Sequence, residues 1–184
     1  FSGKDIVTRF IAQSVQEEDA GKDLLAERMF GKVFWKYQVL VLWFAGRKYP
    51  DREEFMLWLH NIYGQEVWTA FRLIELEKDI WMMVMGADGQ SRFRQKRIVQ
   101  KLPKEGYECY LGISAECQAP GELKAALAQA TAAAENRIYS DEHLLEYREL
   151  AKIKAVKYEM TEEQKNFLQI ALERKSRDRI QSAF

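Results

Sequence analysis

The sequence predicts an α+β domain, an antiparallel sheet of four strands carrying packed helices, with further helices at both ends. Three observations lead there. The run Tyr37 to Phe44 is almost continuously apolar, as a strand covered on both faces requires. Two segments with helical apolar spacing flank a pair of short apolar runs joined by only four polar or boundary residues. An alanine-rich amphipathic segment then follows a last strand-like run.

Taken in chain order, Ile6, Val7, Phe10, Ile11 and Val15 recur at helical spacing, and a charged helical stretch continues over 19–31. The strand of 37–44 is closed by Gly46 and Pro50. Asp51, with Glu54 three residues on, reads as a capping box that opens a helix with the stripe Phe55, Trp58, Leu59 and Ile62; Gly64 stops it. Val67 to Glu75 and Ile80 to Met85 read as a hairpin turned at Leu76-Glu77-Lys78-Asp79. Residues 91–102 read as a helix with Phe93, Ile98, Val99 and Leu102 inward, ended by Pro103. Tyr107 to Ala115 is the fourth strand, and Glu122 to Asn136 a helix with Leu123, Ala126, Leu127, Ala130 and Ala134 on one face. A short helix is expected over 141–150, and Thr161 with Gln164 forms a second capping box ahead of Phe167, Ile170 and Ala171. From residue 37 the order is β-α-β-β-α-β-α, a ferredoxin-like arrangement. The expected division is a helical extension at 1–35, the α+β domain at 36–140 and a second helical extension at 141–184.

Composition limits the function classes. With 47% hydrophobic and 30% charged residues the chain is a globular former. Lys+Arg and Asp+Glu number 28 each, a balance that argues against direct DNA binding by this segment. Cys109 and Cys117 are too few for a disulfide framework and, on an extended strand, would lie roughly 26 Å apart at ~3.3 Å per residue, so reduced cytoplasmic thiols are expected. No apolar run approaches the roughly 20 residues that span a bilayer, no signal peptide is visible, and no membrane association is expected.

The second half carries a resemblance. Tyr110-Leu111-Gly112-Ile113-Ser114, followed by Glu122-Leu123, the alanine-rich stretch 125–134 and Asn136-Arg137-Ile138-Tyr139, resembles the strand, helix and edge segment of degenerate GGDEF-like domains of the nucleotide-cyclase class. Such domains occupy the middle of YesN-type response regulators of the AraC family. The run Tyr37 to Leu42 is similar to the first strand of that family, and Thr161 to Gln164 with Phe167, Leu168 and Ala171 to its last helical segment. The resemblance implies a cytoplasmic, non-catalytic domain that relays or tunes activation between a receiver and a DNA-binding domain. Its partners would be the neighbouring domains of the same protein and a second copy in a homodimer. DNA would be reached only through a domain absent from this chain. The first and last helices would be the joints.

Catalysis and cofactors are not expected. A cyclase hairpin needs glycines that admit the nucleotide and carboxylates that handle metal. Here the hairpin reads Glu75-Leu76-Glu77-Lys78-Asp79-Ile80, and the end of the first strand reads Trp43-Phe44-Ala45-Gly46. Glu75, Glu77 and Asp79 read as a solvated hairpin tip. His60 and His143 lack metal-ligand spacing, Ser114 lacks a nucleophile elbow, and 86–89 lacks the Lys-Ser/Thr of a phosphate loop. The five tryptophans, Trp35, Trp43, Trp58, Trp68 and Trp81, read mostly as core. Arg92, Arg94, Lys96, Arg97, Lys101 and Lys104 form an acid-free basic run. It is either a patch for an anionic partner or a helix whose polar face is basic. The alternative function is a ligand-sensing module that binds a nucleotide or small metabolite in the degenerate cleft.

Overall fold

A computed structural model describes residues 3–16, 23–46, 48–64, 71–155, 161–163, 165–167 and 169–170. The chain forms two units, Phe1–Ala151 and Lys152–Phe184. In chain order the elements are α1 (Gly3–Gln16), α2 (Leu24–Val33), β1 (Tyr37–Phe44), α3 (Arg52–Tyr63), β2 (Phe71–Glu75), β3 (Ile80–Gly86), α4 (Ser91–Lys101), β4 (Cys109–Ile113), α5 (Leu123–Glu135), β5 (Leu144–Glu146) and α6 (Tyr147–Ala155). The strands form one mixed sheet in the order β2-β3-β1-β4-β5. β1 runs antiparallel to both β3 and β4, β2 and β3 form the hairpin, and β5 lies parallel to β4.

The apolar run of β1 is explained by its place at the sheet's centre. Leu40, Leu42 and Phe44 point to one face and share a core with Phe55 and Leu59 of α3, Ile98 of α4 and Leu102. Tyr37, Val39 and Val41 point to the other face, where Val7 and Ile11 of α1, Phe30 of α2 and Ala126, Ala130 and Ala134 of α5 cover them. Each fully buried aliphatic or aromatic side chain stabilises by about 1.5–3 kcal/mol. The helices of residues 1–35 thus form part of the second core, and the boundary expected at 140 falls inside the first unit.

Local signals hold where side chains can satisfy them. Asp23 caps α2, accepting from the Leu25 and Ala26 amides, and Asp51 caps α3, accepting from the Glu53 and Glu54 amides. The Glu54 carboxylate does not turn back on its own cap but accepts from the Tyr107 hydroxyl at 3.1 Å. Gly64 ends α3 at φ 64°, a conformation that only glycine adopts freely.

Three sequence expectations are corrected. Residues 141–150 do not form one helix. Leu144–Glu146 pair with Leu111–Ile113 as a fifth strand, Leu145 is buried beside Ala133, and α6 begins only at Tyr147. Pairing against an open sheet edge outweighs the helical propensity of Leu-Leu-Glu. Phe93 is 60% exposed, because α4 turns Ser91, Gln95 and Ile98 inward and Phe93 lies about 200° around the helix from Gln95. Trp35, between α2 and β1, is 74% exposed rather than core. The strand expected from Val67 is described only from Phe71, and Trp68 lies outside the described residues.

In the second unit, residues 152–155, 162–163, 165–167 and 169–170 are helical. The Lys165 amide donates to the Thr161 carbonyl at 3.0 Å, and the Lys165 ammonium meets Glu162 at 2.9 Å. Phe167 and Ile170 are exposed, while Gln164, Leu168 and Ala171 lie outside the described residues.

The alanines of α5 have a steric purpose. At Gly112 of β4 a Cβ would stand 2.6 Å from the Ala134 nitrogen and 2.8 Å from its Cβ, and closer still to the Ala130 carbonyl oxygen. The helix backbone therefore rests directly on the strand. Replacing Gly112 with Ala is expected to lower the unfolding free energy by about 1–3 kcal/mol. This would be read as a lower urea midpoint at unchanged slope; an unchanged midpoint would contradict the close approach.

Candidate functional site

The resemblance stated from the sequence would put chemistry at the end of β1 and at the β2–β3 turn, beside which α3 starts. Backbone bonds close this end of the sheet on both sides. The Phe44 amide donates to the Asp79 carbonyl at 2.9 Å, and the Ala45 amide to the Glu108 carbonyl at 3.0 Å. Below, the Phe44 ring meets Trp81 at 5.0 Å, Phe55 at 6.3 Å and Tyr107 at 6.4 Å between centroids, all edge-on. Edge-to-face aromatic packing of this kind adds about 0.5–1.5 kcal/mol per pair beyond burial. Trp81 also donates its indole N–H to the Lys78 carbonyl at 3.2 Å, pinning the turn.

The turn itself is polar and open. Glu75, Glu77 and Lys78 are exposed, and Asp79 is half-buried. Beside it lies a cleft of about 390 Å³ lined by Tyr49, Asp51, Glu75, Glu77, Lys78 and Trp81. Asp51 is committed to its helix cap. Among the described residues, no group of three or more His, Cys, Asp or Glu could hold a metal ion.

The histidines and cysteines take structural places. His60 is half-buried in the last turn of α3. His143 lies flat on Tyr110, with centroids 4.5 Å apart and 7° between planes, and its Nδ1 is 2.9 Å from the Cys109 carbonyl oxygen. Cys109 and Cys117 are free, buried and on opposite faces of the sheet. Burial pushes the Cys109 thiol far above its ordinary value and, with Glu122 nearby, the Cys117 thiol to about 11. The Ser114 hydroxyl accepts from the Val39 amide at 2.9 Å and donates to the Ala115 carbonyl at 2.7 Å, a strand-pairing role.

The basic run of 91–104 is divided by the fold. Arg92 pairs with Glu146 of β5, which also takes Arg148. Arg94 donates to Asp88 at 2.9 Å. Burial disfavours the Asp88 carboxylate, but hydrogen bonds from Arg94 and the Gln90 amide outweigh it and hold its pKa below the ordinary value. The Arg97 guanidinium lies 5.8 Å from the Tyr63 ring centroid and 5.9 Å from that of Phe93. Lys96 is exposed on α4. Lys101 and Lys104 line a separate cleft of about 510 Å³ between α3 and the turn 102–107.

Two contacts were not legible in the sequence. Arg137, after α5, lies 3.6 Å from the Trp43 ring centroid, and Lys48 lies 4.8 Å from that of Tyr107. Each joins residues far apart in the chain, with no spacing signal between them.

Burial raises the Tyr63 hydroxyl pKa to about 12, against the opposing pull of Arg97 and Arg94. The folded chain therefore holds a proton that the unfolded chain releases near pH ~10. The stability this contributes is complete below pH ~10 and is lost as pH rises through about 12. An absorbance titration of tyrosinate should show a late-ionising class, with denaturant stability falling across that window; ionisation of every tyrosine near 10 would contradict it. The native chain should also protect both thiols from an aromatic disulfide reagent at about pH 8, with reaction following unfolding; prompt reaction of a native thiol would contradict their burial. Comparison with family models, with the curated proteins and with the solved structures finds no match to this chain.

Proposed function

We propose that the chain is a non-catalytic intermediate regulatory domain of a two-component, AraC-family transcription regulator, and that it relays or tunes activation between receiver and DNA-binding domains. The observation that carries this reading is the aromatic cluster Phe44, Phe55, Trp81 and Tyr107 under the end of β1. It supports the reading together with the sequence around it, which has Trp43-Phe44-Ala45-Gly46 at the end of β1 and Leu76-Glu77-Lys78-Asp79 in the hairpin, where a cyclase would need carboxylates and glycines. The order β2-β3-β1-β4, antiparallel throughout, is compatible with a ferredoxin-like or cyclase-like sheet.

The relay would act through packed elements. α1 and α2 are seated on the sheet through Val7, Ile11 and Phe30, and α6 starts directly after β5. Glu146, its side chain 10% exposed between Arg92 and Arg148, ties α4 to the start of α6. Arg92 and Arg148 are themselves more than half exposed, so each pair is worth at most about 1 kcal/mol, and the triad matters as a shared carboxylate that registers a shift of α4 at the start of α6.

The alternative, a ligand-sensing module that takes a nucleotide or small metabolite in the cleft beside the hairpin, meets an electrostatic objection where the ligand is a nucleotide. Glu75 and Glu77 line that cleft and would repel a triphosphate. Incubation with guanosine or adenosine triphosphate and magnesium is expected to yield no cyclic product and no pyrophosphate. The reading frame containing the chain is expected to encode a receiver before it and paired helix-turn-helix motifs after it. Cyclic product, tight magnesium-dependent nucleotide binding by calorimetry, or a transmembrane sensor in place of the receiver would overturn the proposal.

A further inference from the structure

The geometry points to the segment 143–151, which holds β5 and the start of α6, as a releasable latch. It is a hook on the β4 edge that opens as one unit while both main cores stay packed.

Its apolar anchorage is its own. Leu145 of β5 and Leu150 of α6 are each 8% exposed and cluster with Ala133 of α5, and Tyr147 packs beside them. Among the described residues this cluster has three buried members, where the clusters on the two faces of the sheet have sixteen and fifteen. Ala133 belongs to α5 and stays in place when the hook leaves. Opening therefore exposes two buried leucines, whereas unfolding of the sheet exposes both large cores. Leu144, half-buried, packs against the rim of the first core. A region with few buried apolar side chains opens at a lower free energy than the domain that carries it.

The backbone pairing is short. β5 is an outermost strand of three residues and runs parallel to β4, whereas β1, β2, β3 and β4 pair antiparallel. The Leu111 amide donates to the His143 carbonyl at 2.7 Å where the pairing begins. The connection from α5 is exposed at Ile138, Tyr139, Asp141 and Glu142, which leaves the hook a lead of chain outside the cores.

Polar clamps close both ends of the strand. At its start the His143 ring lies flat on Tyr110, and its Nδ1 is 2.9 Å from the Cys109 carbonyl oxygen. At its end Glu146 takes Arg92 of α4 and Arg148 of α6. Both guanidiniums are more than half exposed, so water replaces the bond to Arg92 when the hook lifts. Arg92 stays on α4, and Arg148 leaves with Glu146. Beyond Leu150, α6 carries the chain past Ala151 into the second unit, so the latch fixes or frees the start of that helix.

The inference rests on the geometry of the first unit and not on the relay reading. Native-state hydrogen exchange of the full chain, followed by NMR at low denaturant, tests it. The amides of Leu111, Leu145 and Ala151 should exchange together, about tenfold or more faster than the amides between β1 and β3. Their rates should depend little on denaturant, because the opening exposes little surface. L145A should speed Leu111 and Ala151 alike by roughly thirtyfold or more, the effect of losing a buried leucine. Arg92→Gln, which lies outside the hook, should speed the same amides by up to about fivefold. Exchange of all three amides only with the sheet, at the denaturant slope of global unfolding, would overturn the latch. So would unrelated rates among the three, or an L145A effect that reaches Ala151 but not Leu111. None of those results bears on turnover of triphosphates or on the flanking domains, by which the relay reading is judged.

Discussion

β1 is hydrogen-bonded along both edges and covered on both faces, and the remaining elements of the first unit are placed by what it needs. Its even-numbered side chains require the α3 and α4 layer, and its odd-numbered ones require α1, α2 and α5. A central strand with two buried faces contributes much of the hydrophobic stabilisation, and a charge on either face would carry a heavy desolvation cost. Among the described glycines the closest approach is at Gly112, where α5 lies against β4. That approach is open to a helix of small residues over a strand position without a Cβ, and it links the alanine content of 123–135 to one glycine in another element.

Polar groups inside this frame are spent on registry. Gln95 of α4 donates to the Gln38 side chain at 2.9 Å, Gln38 donates to the Ser114 carbonyl at 3.1 Å, and the Ser114 hydroxyl receives the Val39 amide. This chain joins α4, β1 and the exit of β4. Each buried polar group without such a partner would cost about 1–3 kcal/mol. The same economy governs the cations of α4. Arg92 and Arg94 pair with carboxylates supplied by β5 and by the turn before the helix, and the far end of the basic run lines a cleft.

The two clefts flanking Pro50 differ in charge. The one beside the hairpin is lined by Asp51, Glu75 and Glu77 with Lys78; the one under α3 is lined by Lys101 and Lys104 with Glu54 and Glu105. The first therefore carries an excess of carboxylates and the second is charge-balanced. The aromatic cluster under β1 lies between these surfaces: Trp81 lines the first, and Phe55 and Tyr107 line the second.

Much of the fold was readable from local pattern. The double-sided apolar run of 37–44, the Asp51 cap, the Gly64 stop and the β-α-β-β-α-β-α order depend on periodicity and on short-range hydrogen bonding, which act within a few residues and so are written in consecutive letters. The cleft under α3 was half readable: Lys101 and Lys104 stood out in a run without acids, but not that they would share a lining with Trp58, Tyr107, Glu54 and Glu105. The tertiary structure alone decided β5, the outward turn of Phe93, the Arg137–Trp43 contact and the need for Gly112. Each depends on a neighbour many residues away. Leu144–Glu146 becomes a strand because β4 offers an open edge, and Gly112 must lack a side chain because a helix beginning at Leu123 settles on it. Composition and spacing do not encode such long-range juxtapositions; they arise only when burial and pairing are satisfied together over the folded chain.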